Sequence, residues 1–128
     1  MNIEPHPDRD THADDGAFYI GGQWQTPQAG EMLANIDPAT ENVINHVACG
    51  SAADVDRAVT AARRAYDDVW GPMSGAERGK YLFRIARIMQ ERAREIAVLE
   101  SIDNGKPIRE SRDVDVPTAS AHFFYHAG

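Results

Sequence analysis

Apolar residues first gather at Phe18-Tyr19-Ile20 and again at Trp24, with Gly21-Gly22 between the two groups. A Gly-Gly pair accepts the positive φ angles of a tight two-residue turn, so the pattern predicts a small β-ribbon. A second pair of strands is predicted over Met32 to Ile36 and Val43 to Ala48, because Asp37-Pro38-Ala39-Thr40 between them supplies a proline-set turn. The period then changes. Val55, Ala58, Val59, Ala62, Tyr66 and Val69 recur at three- and four-residue spacing, one apolar stripe of a helix, with Asp56, Arg57, Arg63 and Arg64 off it. Ser51 can cap that helix through its hydroxyl, Asp54 favours the positive end of the helix dipole, and Gly71-Pro72 ends it.

Ser74 with Glu77 forms the signature of a capping box, and the stripe Tyr81, Leu82, Ile85, Ile88 and Met89 follows directly. A third helical stretch carries Ile96, Ala97, Leu99 and Ile102 into Asp103-Asn104-Gly105-Lys106-Pro107, where Gly105 suits a left-handed C-cap and Pro107 a new first turn. The last helix is expected to begin near Pro107 and to kink or restart at Pro117, whose ring and missing N–H break the backbone ladder. Phe123, Phe124 and Tyr125 come at its end with no apolar partner in the pattern, so the expectation is a helix cut before its partner arrives. The fold class read from the pattern is α/β: two short antiparallel hairpins followed by three to four amphipathic helices.

Composition narrows the class. The 128 residues suffice for one modest domain, and 42% hydrophobic with 26% charged is ordinary for a globular protein. Residues 1–16 are the exception: Asp8, Asp10, Asp14 and Asp15 with Pro5 and Pro7 leave almost nothing to bury, which predicts a disordered acidic tail. His6 and His12 lie in that tail and are read as solvated imidazoles rather than a metal pair. A formal charge of −7 argues against a surface for nucleic acid. No run approaches the ~20 apolar residues of a membrane span, and no secretory signal is recognisable, so a cytoplasmic chain is expected. The single cysteine, Cys49, has no disulfide partner within the chain.

In order, Tyr19-Ile20-Gly21-Gly22-Gln23-Trp24, Asp37-Pro38-Ala39-Thr40, Ser51 to Arg64, Asp103-Asn104-Gly105-Lys106-Pro107 and Phe124-Tyr125-His126-Ala127-Gly128 resemble the opening of the aldehyde dehydrogenase superfamily. The resemblance implies an NAD- or NADP-dependent enzyme that oxidises an aldehyde to a carboxylic acid, with a Rossmann-like cofactor domain, a catalytic domain and a small β oligomerisation element. Residues 17–128 would be the amino-terminal portion of the cofactor-domain region, truncated before the Rossmann core and the catalytic domain. The rest of that polypeptide is the expected partner, and the complete enzyme is expected to be a homo-oligomer. Two departures stand out. The family usually has asparagine at Asp37, and threonine-glycine-glutamate where this chain reads Thr40-Glu41-Asn42. Asn42 tolerates a left-handed turn, so a shifted turn is expected rather than a lost hairpin.

The family's chemistry needs a nucleophilic cysteine, a glutamate base and an asparagine for the oxyanion, all of which the resemblance puts downstream of this segment. No catalytic and no cofactor-binding residue is therefore expected here, and the chain alone is expected to be inactive. Cys49 sits at the end of the second hairpin and is read as a structural thiol. Gly21-Gly22 has no following helix with which to cradle a phosphate. One partial site is implied: a monovalent cation held by the carbonyls of Asn35 and Ile36 and by Asp103, oxygen donors suited to a hard ion, with a further ligand beyond Gly128. Asp103 is equally read as the cap of the following turn. Arg57, Arg63, Arg64, Arg84, Arg87, Arg92 and Arg94 are expected on solvated helix faces. A rival reading makes the chain a short stand-alone interaction module that docks through exposed helix faces.

Overall fold

The computed structural model describes residues 17–28 and 30–128; the predicted acidic tail lies outside the described residues. The chain divides into two compact units. The first takes in the described residues up to Asn35 together with Val43–Tyr66, and the second Ile36–Asn42 together with Asp67–Gly128.

In the first unit, β1 (Phe18–Ile20) pairs antiparallel with β2 (Gln23–Gln25) across Gly21 and Gly22, whose φ angles of 63° and 82° are those the sequence predicts for this turn. Tyr19 opposes Trp24, and their rings meet edge to face with centroids 5.1 Å apart. A second two-stranded sheet joins β3 (Met32–Ile36) to β4 (Val43–Ala48) at the predicted boundaries. Helix α1 (Ala52–Ala65) starts at Ser51 with a full capping box: the Asp54 N–H donates to Ser51 Oγ at 3.2 Å, and the Ser51 N–H donates to Asp54 Oδ2 at 2.9 Å. Phe18 lies against Gly50 and Gly21 against the Ala61 methyl, which ties the ribbon to the helix. Ile20 is the one buried large apolar residue among the described residues of this unit.

The second unit is helical. Helix α2 (Gly75–Glu91) begins at the predicted capping box, Ser74 with Glu77. Arg92, at φ −102°, separates it from α3 (Ala93–Asn104), which ends at Gly105 in the left-handed conformation, φ 68°. Pro107 then precedes the single turn α4 (Ile108–Glu110), and a π-helical turn over Ser111–Asp115 leads into α5 (Val116–Ala127). Pro117 falls in the first turn of α5, where a missing N–H costs little. The wide turn before it lets the Val116 N–H reach Ser111 O, so the chain restarts its helix without a break.

Small residues set the close approach of α2 and α5, on a face where Leu82 and Met89 of the predicted stripe are half-buried. Gly79 and Ala86 of α2 are buried, and Ser120 of α5 donates from Oγ to the Ala86 carbonyl at 3.3 Å. A Cβ added at Gly79 would stand 2.5 Å from the Ala127 carbonyl oxygen, so the absence of a side chain sets how closely the helices approach. That approach corrects one expectation. Phe124 does find a partner within the chain, the ring of Phe83 at 5.1 Å, and Phe123 is half-buried; Tyr125 alone of the three stays open, at 79% exposure. Of the predicted α2 stripe, Tyr81, Ile85 and Ile88 are exposed, as are Val55, Val59, Tyr66 and Val69 along α1 and the turn after it.

Candidate functional site

The strongest local construction in the second unit is the corner where the Asp37–Asn42 loop meets the end of α3. Asp37 organises the loop: its Oδ1 accepts the Ala39 N–H at 2.8 Å and its Oδ2 the Thr40 hydroxyl at 2.9 Å. Its backbone closes the turn, with the Glu41 N–H donating to Asp37 O and the Asp37 N–H to Asn42 O. These bonds, the Ala39 N–H foremost and then the Thr40 hydroxyl, hold the Asp37 carboxyl below its ordinary pKa. An aspartate thus does here what an asparagine side-chain oxygen does in the same turn. The left-handed residue is Glu41, φ 60°, and not Asn42 as expected. The turn re-enters its hairpin there: with the Asp37 N–H bonded to Asn42 O, the residue just before Asn42 takes the left-handed step that follows such a turn.

Pro38 of this loop packs on Gly105. A Cβ built at Gly105 would lie 2.8 Å from Pro38 Cβ and 3.3 Å from Pro38 Cγ. Beyond the corner, Lys106 pairs with Asp115, whose hydrogen bond is the main cause of a raised lysine pKa. Ser101 Oγ donates to the buried Ser111 Oγ at 3.0 Å. Together these contacts lock the α3 end, α4 and the π-helical turn into one piece. Asp103 is the penultimate residue of α3 and Ile36 the last of β3, both in this unit; Asn35, half-buried in β3, belongs to the first.

The first unit holds a polar cluster that the sequence reading passed over. Asp54 is 3% exposed, and besides Ser51 it accepts from the Gln28 N–H at 3.3 Å and from Arg57 Nη2 at 2.5 Å. Arg57 also donates to Gln25 Oε1 at 3.1 Å, so it bridges α1 and β2 rather than lying on a solvated face as expected. The Ser51 hydroxyl first, then the Ser51 N–H, Arg57 and the Gln28 N–H draw the Asp54 pKa down to about 2. A visible signal was available in Asp54 and Arg57 at i and i+3; the Gln25 partner, 32 positions from Arg57, was not. Every group of the cluster is bonded internally except the buried Nε of Arg57, and the cluster is structural.

No three of the histidines, cysteines, aspartates and glutamates among the described residues converge as a metal site. Cys49 is half-buried just after β4, its N–H donating to Glu31 O at 2.9 Å. Gly21 faces the Ala61 methyl, and the ribbon continues into β2, not into a helix whose N–H groups would cradle a phosphate. No helix of the described residues is long and apolar enough to cross a membrane.

Two small hairpins lead into an amphipathic helix, and further helices close at a glycine corner, the element order of the α/β class expected from the sequence. The model of the aldehyde dehydrogenase family matches residues 24–128, and the chain belongs to that family. It is 44% identical over 110 residues to the fluoroacetaldehyde dehydrogenase of Streptantibioticus cattleyicolor, covering 86% of this chain and 22% of that protein. It is 41% identical over 110 residues to the mitochondrial aldehyde dehydrogenase family 2 member B4 of Arabidopsis thaliana, covering 85% and 20%. The NAD+ complex of an aldehyde dehydrogenase from Bacillus cereus superposes with a TM-score of 0.87 at 32% identity, covering 100% of this chain and 26% of that one. The chain thus spans about a fifth to a quarter of the length of the relatives it matches.

Proposed function

We propose that this chain is the amino-terminal segment of an NAD(P)-dependent aldehyde dehydrogenase and that, taken alone, it serves to build and brace that enzyme without performing its reaction. The observation that carries the reading is the colinear match of most of this chain to about a fifth of longer dehydrogenases. The complete enzyme oxidises an aldehyde to a carboxylic acid, the nicotinamide cofactor accepting the electrons. The residues present do not fit that cofactor, for want of a glycine turn opening onto a helix, so no step is assigned through it. Residues 17–128 act as the amino-terminal portion of the cofactor-domain region, in a cytoplasmic enzyme that assembles as a homo-oligomer.

For this segment we propose a share in a monovalent cation site. Asn35 and Ile36 would offer carbonyl oxygens and Asp103 a carboxylate, a hard donor set. The fit is supported by the corner itself: Pro38, two residues after Ile36, and Gly105, two after Asp103, touch so closely that a Cβ would fill the gap. The cation would fix two chain segments and take no part in redox chemistry.

The exposed apolar faces of α1 and α2 support docking onto a larger body, which the rival module reading shares. The two are separated by complementation. The purified chain should give no aldehyde-dependent reduction of NAD or NADP alone, yet should restore activity to a related aldehyde dehydrogenase lacking its matching first fifth. Turnover by the chain alone that vanishes in Cys49→Ala would overturn the reading. Failure to bind the truncated relative, with binding to an unrelated protein instead, would favour the module.

A further inference from the structure

Helix α5 turns its contact face to α2, and that face is Val116, Ser120, Phe123, Phe124 and Ala127, all buried or half-buried. The opposite side carries two histidines one helical turn apart, His122 and His126, both exposed. Residues at i and i+4 of a helix stand ~5–6 Å apart at Cβ, a gap that one metal ion bridges between two imidazoles. Tyr125, also exposed, meets the His126 ring edge on, with centroids 5.1 Å apart and planes at 83°, which narrows the rotamers of that imidazole.

We infer that His122 and His126 form a two-histidine clamp for a late first-row divalent ion, Ni2+, Zn2+ or Cu2+, on the outer face of α5. Imidazole nitrogen selects this class over Mg2+ or Ca2+, which require oxygen. Water fills the remaining positions, so the site is open and exchangeable. The acidic chain, at −7, raises the local concentration of any divalent cation without choosing among them; the choice is made by the two rings. Binding the second imidazole is intramolecular once the first holds the ion, so the pair binds far more tightly than either ring alone.

The three other histidines, His6, His12 and His46, serve as internal controls. The test is a titration of the untagged chain with Ni2+, followed by paramagnetic broadening of the five histidine ring resonances. The signals of His122 and His126 should broaden together at the lowest concentrations, before those of the other three. His122→Gln should weaken the broadening at His126 by about tenfold or more, and His126→Gln should do the same at His122. Zn2+ should compete and a large excess of Mg2+ should not, with the far-ultraviolet helix signal confirming that each variant still folds. Broadening of His6, His12 or His46 ahead of the pair, or unchanged broadening at His126 in His122→Gln, would overturn the clamp.

Discussion

Gly105→Ala attacks the α3 corner through two costs that can be separated. The first is conformational. An alanine held at φ 68° loses about 1–2 kcal/mol relative to a right-handed geometry, of which about 0.4–1 kcal/mol returns because alanine restricts the unfolded chain. The second is steric. The new methyl would sit 2.8 Å from Pro38 Cβ, where carbon atoms rest at about 3.5–4.0 Å, so the Pro38 ring must retreat by roughly 1 Å. Overpacking of that degree costs about 1–3 kcal/mol. The expected loss is therefore about 2–4 kcal/mol, read as a lower urea midpoint of the far-ultraviolet helix signal with unchanged slope. Gly105→Asn keeps the Cβ but tolerates the left-handed backbone, so it should lose about 1 kcal/mol less. In a Pro38→Gly background the steric part disappears, giving a coupling energy of about 1–3 kcal/mol. A cost in Gly105→Ala below about 0.5 kcal/mol, or one unchanged when Pro38 is glycine, would refute the packing of the loop against the corner.

Ser74→Ala removes the hydroxyl that accepts from the Glu77 N–H and should destabilise α2 by about 0.5–2 kcal/mol in the same urea experiment. Glu41→Gly should stabilise by up to about 1 kcal/mol, since the family's usual residue removes the strain at φ 60°; a lower melting temperature would show that the Glu41 side chain has a role of its own. On acidification, Asp54 contributes its full share of stability above the ordinary aspartate pKa of about 4 and loses it as pH falls through its folded value of about 2. Asp37 and Glu77, also lowered, act in the same direction. Asp54→Asn should therefore flatten the acid limb of the stability profile, and a limb as steep as in the parent would place the titrating group elsewhere.

The hairpins and helix starts were legible because they rest on local chemistry. Gly21-Gly22 admits only a few turn geometries, and Ser51 or Ser74 with an acid three residues on satisfies free N–H groups wherever it occurs. The family was legible for the same reason: its pieces are turns and caps with little freedom to drift. What escaped was the long-range part. Periodicity marks Tyr81, Leu82, Ile85, Ile88 and Met89 as a stripe but does not say which part meets α5; the buried side is that of Gly79 and Ala86, with Leu82 and Met89 half-buried and Tyr81, Ile85 and Ile88 exposed. Arg57 looked solvated because its second partner, Gln25, lies on a strand far away in sequence. Glu41 took the left-handed position because it is the residue at which the turn re-enters its hairpin, a backbone requirement that its side chain does not signal. The candidate cation residues were named from resemblance alone, and no periodicity or spacing in this chain would have found them.

The burial pattern among the described residues is inverted relative to a self-sufficient domain. Among the described residues, the buried apolar residues are Ile20, Ala86, Ala97 and Val116, while twice that number of valines, isoleucines and tyrosines on the helices alone stand open. Alanine contributes little transfer free energy, whereas each larger side chain left about half open forgoes a corresponding part of what full burial would give, about 1.5–3 kcal/mol. What holds the units is therefore weighted toward caps, turn closure and ion pairs: Ser51 with Asp54, Ser74 with Glu77, Asp37 with Thr40, Lys106 with Asp115. Such bonds fix the local path of the chain accurately at small net gain. The apolar faces they present are correspondingly well ordered before anything covers them. On the proposed reading that order is the contribution of the segment: it offers the larger enzyme preformed helix faces, so that covering them spends little of the binding free energy on ordering.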